Sequence, residues 1–309
     1  MKVPLHSKIK HLILGYYYSI LRKVFKKLFS FNYVDLYAGD GECELRDKAI
    51  PARVIPLLPN DFKREWEPPF FSLLDYAKRT GFKLKCFFND KKESNIQALD
   101  KKLESYKSDI KISFSKEDAN ISVKDAIGFI NRPNVPSLFY LDPFNHVDLK
   151  FSTIKEISTF SDKNTGRKPE LIINLMVYSM LQAIQRGRPQ DFDTISESLG
   201  TDSWKKQLKD YKGITHILFK DIFIEQLKQL GYFCTWYSIT SIRHNAPQYY
   251  LIFCTYDEKK IYSIHKNMEP NIKKLQKEKW VKELYKVDWM TRHIGNGQKP
   301  LSMFLEQVQ

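Results

Sequence analysis

The sequence lacks any apolar run long enough to cross a membrane, and it lacks a C-x-x-C pair. The first absence argues against a transmembrane protein. The second argues against a zinc site, because Cys43, Cys86, Cys234 and Cys254 stand far apart. No metal ligand is assigned. No signal peptide is read at the start, and scattered cysteines then point to a reduced, cytoplasmic setting. Also missing are G-x-x-x-x-G-K, G-x-S-x-G and H-E-x-x-H, which lowers the NTPase, hydrolase and metalloprotease readings. There is no internal repeat and no low-complexity tract. No long Lys/Arg run concentrates the positive charge.

What is present is a chain of 309 residues, 42% hydrophobic and 28% charged. That is enough for a packed core in one large α/β domain with insertions, or in two small domains. Aromatics make up 14%, so some of them can form a flat surface suited to stacking as well as core. The formal net charge is +14. It favours a polyanionic partner, DNA or RNA, since Lys and Arg displace counterions from phosphates. A solvated lysine surface accounts for the same charge equally well. Residues 12–29 mix aromatics and aliphatics with Lys23, Lys26 and Lys27. An amphipathic helix packed on the domain is the favoured reading, ahead of one lying on a membrane, and no membrane partner is expected.

Hydrophobic periodicity sets out the organisation. A helix is expected over 5–30 and a strand at 33–37. Residues 43–68, with Pro51, Pro56, Pro59 and Pro68 and then Pro69, read as an insertion or loop. Beyond it come helix 70–80 capped by Gly81, strand 84–88, helix 91–106, strand 111–114, helix 123–131, strand 137–141, helix 151–160 and strand 171–175. Five alternations of strand and helix are the pattern of a doubly wound, mainly parallel sheet. Helices follow near 176–186, 191–199, 204–210 and 216–230. Two strands, 232–240 and 248–255, suggest an antiparallel hairpin at the sheet edge. The expected layout is a helical segment over 1–32, a Rossmann-like domain over 33–256 with a helical insertion at about 176–230, and a basic helix and tail over 257–309.

The chemistry sits at strand ends. Asp35-Leu36-Tyr37-Ala38-Gly39-Asp40-Gly41 delivers an acid and then turns on two glycines, which let the backbone pass close to a ligand. The missing third glycine of G-x-G-x-x-G argues against a dinucleotide pyrophosphate. An acid before the turn suits an ammonium group, as a methionine moiety carries. Asp90, ending the second strand, is placed to accept from ribose hydroxyls. After the third strand, Asp118 can accept from an adenine amino group, and Ala119 offers a backbone N–H. Each acid alone is better read as a loop residue or helix cap. Together, at successive strand ends, they outline a pocket for S-adenosylmethionine, with Asp35, Tyr37, Ala38, Gly39, Gly41, Asp90, Asp118 and Ala119 as its residues.

The fourth strand ends in Leu141-Asp142-Pro143-Phe144-Asn145. This resembles the Asp-Pro-Pro-Tyr element of amino-methyltransferases acting on adenine or cytosine. There the polar residue and a prolyl carbonyl hold the exocyclic amine, and the aromatic stacks the extruded base. The resemblance implies catalytic roles for Asp142, Pro143 and Phe144. The single proline shifts the aromatic by one position. The alternative is that Asp142 only caps the next helix.

Over most of the chain the motifs resemble one family, the three-Cys-motif partner proteins (TcmP), class I methyltransferase-like proteins of bacteria and mobile elements. Its marks are Lys10-His11, Tyr16 to Tyr18, Val34-Asp35-Leu36-Tyr37-Ala38-Gly39, Asp118-Ala119-Asn120, Leu141-Asp142-Pro143-Phe144, Leu171-Ile172-Ile173-Asn174, Trp204 and Pro247-Gln248-Tyr249-Tyr250-Leu251-Ile252-Phe253. That family usually has Gly-Pro-Gly in the first turn and Asp-Pro-Tyr-Gly in the fourth element. Here Gly39-Asp40-Gly41 and Asp142-Pro143-Phe144-Asn145 stand instead, and Asp40 adds a carboxylate beside the cofactor. The resemblance implies a class I methyltransferase fold, S-adenosylmethionine as cofactor, a protein partner bearing three cysteines and, by analogy, a place in phage defence or DNA modification.

His11, His146 and His244 are candidate bases, although methyl transfer to an amine often needs none. Arg186, Arg188 and Arg243 can contact phosphate or lie in an exposed loop. Trp236 and Tyr237 read as core. The leading expectation is a methyltransferase acting on nucleic acid, at a base amine. The competing one is a catalytically weak binding module that works in a complex with a protein or a nucleic acid. A nuclease-like effector is disfavoured, since no metal-ligand cluster is visible.

Overall fold

The computed structural model describes residues 2–46, 50–210, 215–241 and 246–289. His244 and Arg243, and the tail past 289, lie outside them.

Five parallel strands form the centre: β1 (Ser30–Asp35), β2 (Lys83–Asn89), β3 (Lys111–Ser115), β4 (Ser137–Leu141) and β5 (Glu170–Leu175). Val34 stands opposite Phe87 on one side and Phe139 on the other, which puts β1 in the middle. Every residue of β4 and β5 is buried, as expected where helices cover both faces of a parallel sheet. β6 (Phe233–Ser241) and β7 (Ala246–Thr255) pair antiparallel. β7 also pairs antiparallel with β5, Ile252 opposite Ile173. β7 is therefore inserted between β5 and β6, and β6 runs parallel to the first five strands. The order is 3-2-1-4-5-7-6, the Rossmann-like class I methyltransferase arrangement, followed by β8 (Tyr285–Trp289) beside β6.

The hairpin is thus not at the edge, as the sequence reading had it. β6 sends Trp236 into one core and Tyr237 and Ile239 into the other. A strand covered on both faces would leave a bare row of hydrogen-bonding groups at its edge, and β8 pairs with that row.

The two cores lie on opposite faces of the sheet. One holds α1 (Leu5–Phe25), α2 (Phe71–Thr80), α3 (Glu93–Leu103), α10 (Glu258–Lys277) and α11 (Lys279–Leu284). The other holds α4 (Ala119–Ile130), α5 (Phe151–Thr159), α6 (Val177–Arg186), α7 (Pro189–Leu199), α8 (Ser203–Asp210) and α9 (Thr215–Gln229). In α1, Leu5, Ile9, Ile13, Leu14, Tyr17, Leu21 and Phe25 form one buried stripe at helical spacing. Each such side chain contributes about 1.5–3 kcal/mol gross, so α1 is fastened to the sheet rather than free for a membrane. No helix among the described residues is long and apolar enough to cross one.

The proline-rich stretch is more ordered than a loop. Cys43–Leu45 pairs with Lys2–Val3 and with Glu65–Trp66 in a small sheet, and Ala52–Leu57 is a 3-10 helix. α4 begins at Ala119, four residues before the periodicity suggests. The Asp118 carboxylate accepts from the Asn120 amide at 2.9 Å and so caps it.

Candidate functional site

A cleft opens at the carboxyl ends of β1 and β4, where α/β sheets of this topology bind ligands. Its empty space, mouth included, is about 420 Å3. Asp35, Tyr37, Ala38, Gly39 and Asp142 line it, with Asp40 and Glu42. A chain of net charge +14 thus concentrates four carboxylates at one hole.

The Gly39-Asp40-Gly41 turn is built for close approach. Both glycines have positive φ, 67° and 72°. A Cβ on Gly41 would meet Leu99 of α3 at 2.8 Å. The turn is tied to its neighbour strand: Ala38 N–H donates to the Asn89 carbonyl at 2.8 Å, and Gly39 N–H to the Asp90 carboxylate at 3.0 Å.

Asp35 is buried beneath the turn. It accepts from the Tyr37 amide at 3.0 Å and the Tyr33 hydroxyl at 3.3 Å. Burial, helped by the negative charge of Asp142, pushes its carboxyl up to about 8, and the Tyr37 amide opposes the rise. The group is poised to ionise when a cation arrives.

Asp142 is held differently. One oxygen accepts from Lys10 Nζ at 2.6 Å and Asn174 Nδ2 at 2.8 Å, and the other from Lys10 again and the Tyr140 hydroxyl at 2.9 Å. Burial alone would raise this carboxyl. The Lys10 ammonium more than offsets that and keeps it below the usual range. With about four acceptor positions on a carboxylate, the group is saturated. Asn174 Oδ1, beside it, is buried and has no partner. Pro143 is buried, and Phe144, two residues past the cleft-lining Asp142, is 78% exposed.

Asp90 and Asp118 stand at the ends of β2 and β3 and are committed locally. Asp90 accepts from Gly39, Lys92 and Asn95. Asp118 caps α4, with Lys91 Nζ 3.8 Å away. Ala119 is buried in the first turn of α4. Asp35 and Asp142 line the cleft with Tyr37, Ala38 and Gly39, Asp90 reaches it through Gly39, and Gly41, Asp118 and Ala119 are not part of its lining.

Two contributors, Lys10 and Asn89, escaped the sequence reading as functional parts. Lys10 reaches from α1 across 132 residues of sequence to Asp142. Asn89 donates to the carbonyls of Leu36 and Glu117 and accepts from Glu117 N–H, stapling the ends of β1, β2 and β3. Tyr37, which the sequence reading had named, lines the cleft and donates to the Asp148 carbonyl at 2.7 Å. Lys10 alone had left a trace, inside the Lys10-His11 motif.

Of the candidate bases, the described two, His146 and His11, are held as neutral, hydrogen-bonded groups. His146 is buried, its ring nitrogens pair with the Ser179 and Thr194 hydroxyls, and burial lowers it to about 4. It is a neutral strut between the β4 loop, α6 and α7. His11 lines the cleft, but burial lowers it to about 3, and Trp66 donates to its Nδ1 at 2.8 Å. Arg186 pairs with Asp191 at 2.9 Å, and Trp236 and Tyr237 are core. Among the described residues no group of three or more His, Cys, Asp or Glu is placed to hold a metal. All four cysteines are free and buried.

No protein-family model matches the chain. No curated protein matches it. Among solved structures it is similar to protein LPL1258 of Legionella pneumophila str. Philadelphia 1, described under the family model DUF519. That match has 10% identity and a TM-score of 0.55, and covers 92% of this chain and 96% of that one. The two share a fold. Weaker likenesses are to a proposed O-methyltransferase from Klebsiella pneumoniae (9% identity, 79% and 80% covered, TM-score 0.39) and a proposed rRNA methylase from Clostridium thermocellum (13%, 77% and 95%, 0.34).

Proposed function

We propose that the chain is an S-adenosylmethionine-dependent methyltransferase acting on nucleic acid, at a base amine. The observation that carries this reading is the acidic cleft at the β1 and β4 ends of a strongly basic protein. A cleft lined by Asp35, Asp40, Glu42 and Asp142 suits a ligand with a sulfonium and an ammonium, and the chain's net charge of +14 suits a polyanion.

The residues present fit the cofactor. Asp35 would take the ammonium, the backbone at Gly39 would pass the amino-acid tail, and Asp90 would offer its one remaining acceptor site to the ribose, while Gly41 lets the turn pack on Leu99. In this reading Asp118 and the Ala119 amide would take the adenine. The bound cofactor supplies an electrophilic methyl group. The protein's part is to bind, orient and exclude water. The exposed Phe144 offers a face on which a displaced base can stack.

The saturation of Asp142 favours a second reading, a binding module of methyltransferase fold in which the Lys10–Asp142 pair only anchors α1. A partner of the three-Cys kind and a role in phage defence follow from the motif resemblance under either reading. One experiment separates them. The protein is incubated with cofactor labelled in the methyl group and with DNA, RNA or cell extract. Label in the macromolecular fraction, lost in Phe144→Ala, supports the enzyme. Label confined to the small-molecule fraction, with S-adenosylhomocysteine still bound, supports the module.

A further inference from the structure

The opposite edge of the sheet, where β1, β2 and β3 begin, carries cations that the cleft does not use. Lys83 opens β2, and its ammonium lies 4.2 Å over the ring of Phe29. Phe29 is 77% exposed just before β1, at a position where folding gives no reason for an aromatic. Two residues along β2, on the same face, Lys85 stands directly opposite Lys111 of β3. Both ammonium groups approach the ring of Phe129, at 5.6 and 5.5 Å. Arg132 adds a further charge: burial, then Lys111 and Arg132, lower the Lys85 ammonium. Elsewhere on these elements lysines find acids, as Lys107 and Lys116 do. Among the described residues, Lys83, Lys85, Lys111 and Arg132 have none. Like charges directly opposite on neighbouring strands destabilise a sheet, so the arrangement costs the free protein stability that a polyanion would return.

We infer that this edge is a docking surface for a single-stranded polynucleotide, remote from the cofactor cleft. The phosphates would pair with Lys83, Lys85, Lys111 and Arg132, and an unpaired base would stack on Phe29. An exposed aromatic between cations favours single strands over duplex or lipid, because a π-face is offered only by an unstacked base. Ribo- and deoxyribo-oligomers serve alike, since neither phosphate pairing nor stacking reads the 2′-hydroxyl. The choice of occupant rests on the nucleic-acid reading above. The surface itself does not.

The test is fluorescence anisotropy with a labelled 20-nucleotide single strand between 50 and 200 mM salt, on the full chain. Each variant is checked in parallel for its thermal shift with S-adenosylhomocysteine. All substituted positions are exposed, so folding should survive. Lys83→Ala/Lys111→Ala/Arg132→Ala should weaken binding about tenfold or more and cut the slope of log affinity against log salt by about 2, from about 0.7 per phosphate contact. Phe29→Ala should weaken it at least about fivefold with the salt slope unchanged. The thermal shift should be the same in all. If the wild type binds the strand and both variants bind it equally well, the surface is refuted while a nucleic-acid substrate stands. If the wild type binds no strand yet responds to S-adenosylhomocysteine, both fall together and the cofactor reading survives. Tighter binding to duplex or to phosphatidylserine vesicles than to the single strand also overturns the inference.

Discussion

Replacing Asp35 by Asn should make the ligand-free protein more stable and less able to hold the cofactor. The Asp35 carboxyl sits at about 8 in the folded protein, against 3.8 for the ordinary group. Between those values the unfolded chain has shed the proton and the folded chain keeps it. Folding then binds a proton, and stability falls as pH rises, by about 1.4 kcal/mol per unit and roughly 6 kcal/mol over the window. Asn carries no such proton and keeps the shape: its Oδ1 can accept from Tyr37 N–H, and its Nδ2 can face the Tyr33 hydroxyl. Denaturant unfolding of both proteins from pH 5 to pH 9 is the assay. The stability gap should widen with pH by about 1.4 kcal/mol per unit and level off above about pH 8. S-adenosylmethionine should narrow it, because its ammonium favours the Asp35 carboxylate. Two parallel curves, with the gap constant across pH, would refute the reasoning.

Gly41→Ala forces a Cβ to 2.8 Å from Leu99 at positive φ, so it should cost about 2 kcal/mol and weaken cofactor binding, read by thermal shift with and without ligand. Lys10→Met strands the buried Asp142 charge and should cost about 3–5 kcal/mol. Adding Asp142→Asn should recover much of that, and strictly additive losses in the double-mutant cycle would show that the pair is not coupled. Phe144→Ala, at an exposed position, should leave stability within about 0.5 kcal/mol of wild type. It should nevertheless lower kcat/KM for methyl transfer to nucleic acid while S-adenosylhomocysteine binds as before.

The five βα alternations were legible because each rests on local pattern: apolar strands of period two or continuous burial, helices with one stripe, Gly81 closing α2. The place of β7 was not, since a strand's neighbour is chosen by long-range pairing that periodicity does not encode. Tyr285–Trp289 carries two charges in five residues and reads as tail, yet it pairs with β6, whose other edge is filled by β7. At the site, the strand-end rule found Asp35 and Asp142. It also named Asp90 and Asp118, whose carboxylates serve turns and caps that short polar side chains favour. Lys10 and Asn89 stayed hidden for a shared reason. Their value lies in where their donors reach in space, and a lysine in an amphipathic helix or an asparagine ending a strand looks ordinary in sequence.

Isothermal titration of the wild type and Asp35→Ala with S-adenosylhomocysteine at pH 8 decides whether the cleft at the β1 and β4 ends is a site for S-adenosylmethionine. Saturable binding at one site per chain is expected in the wild type, and at least about tenfold weaker binding in the variant. No heat of binding up to millimolar ligand, or equal affinity in the two proteins, would rule that site out.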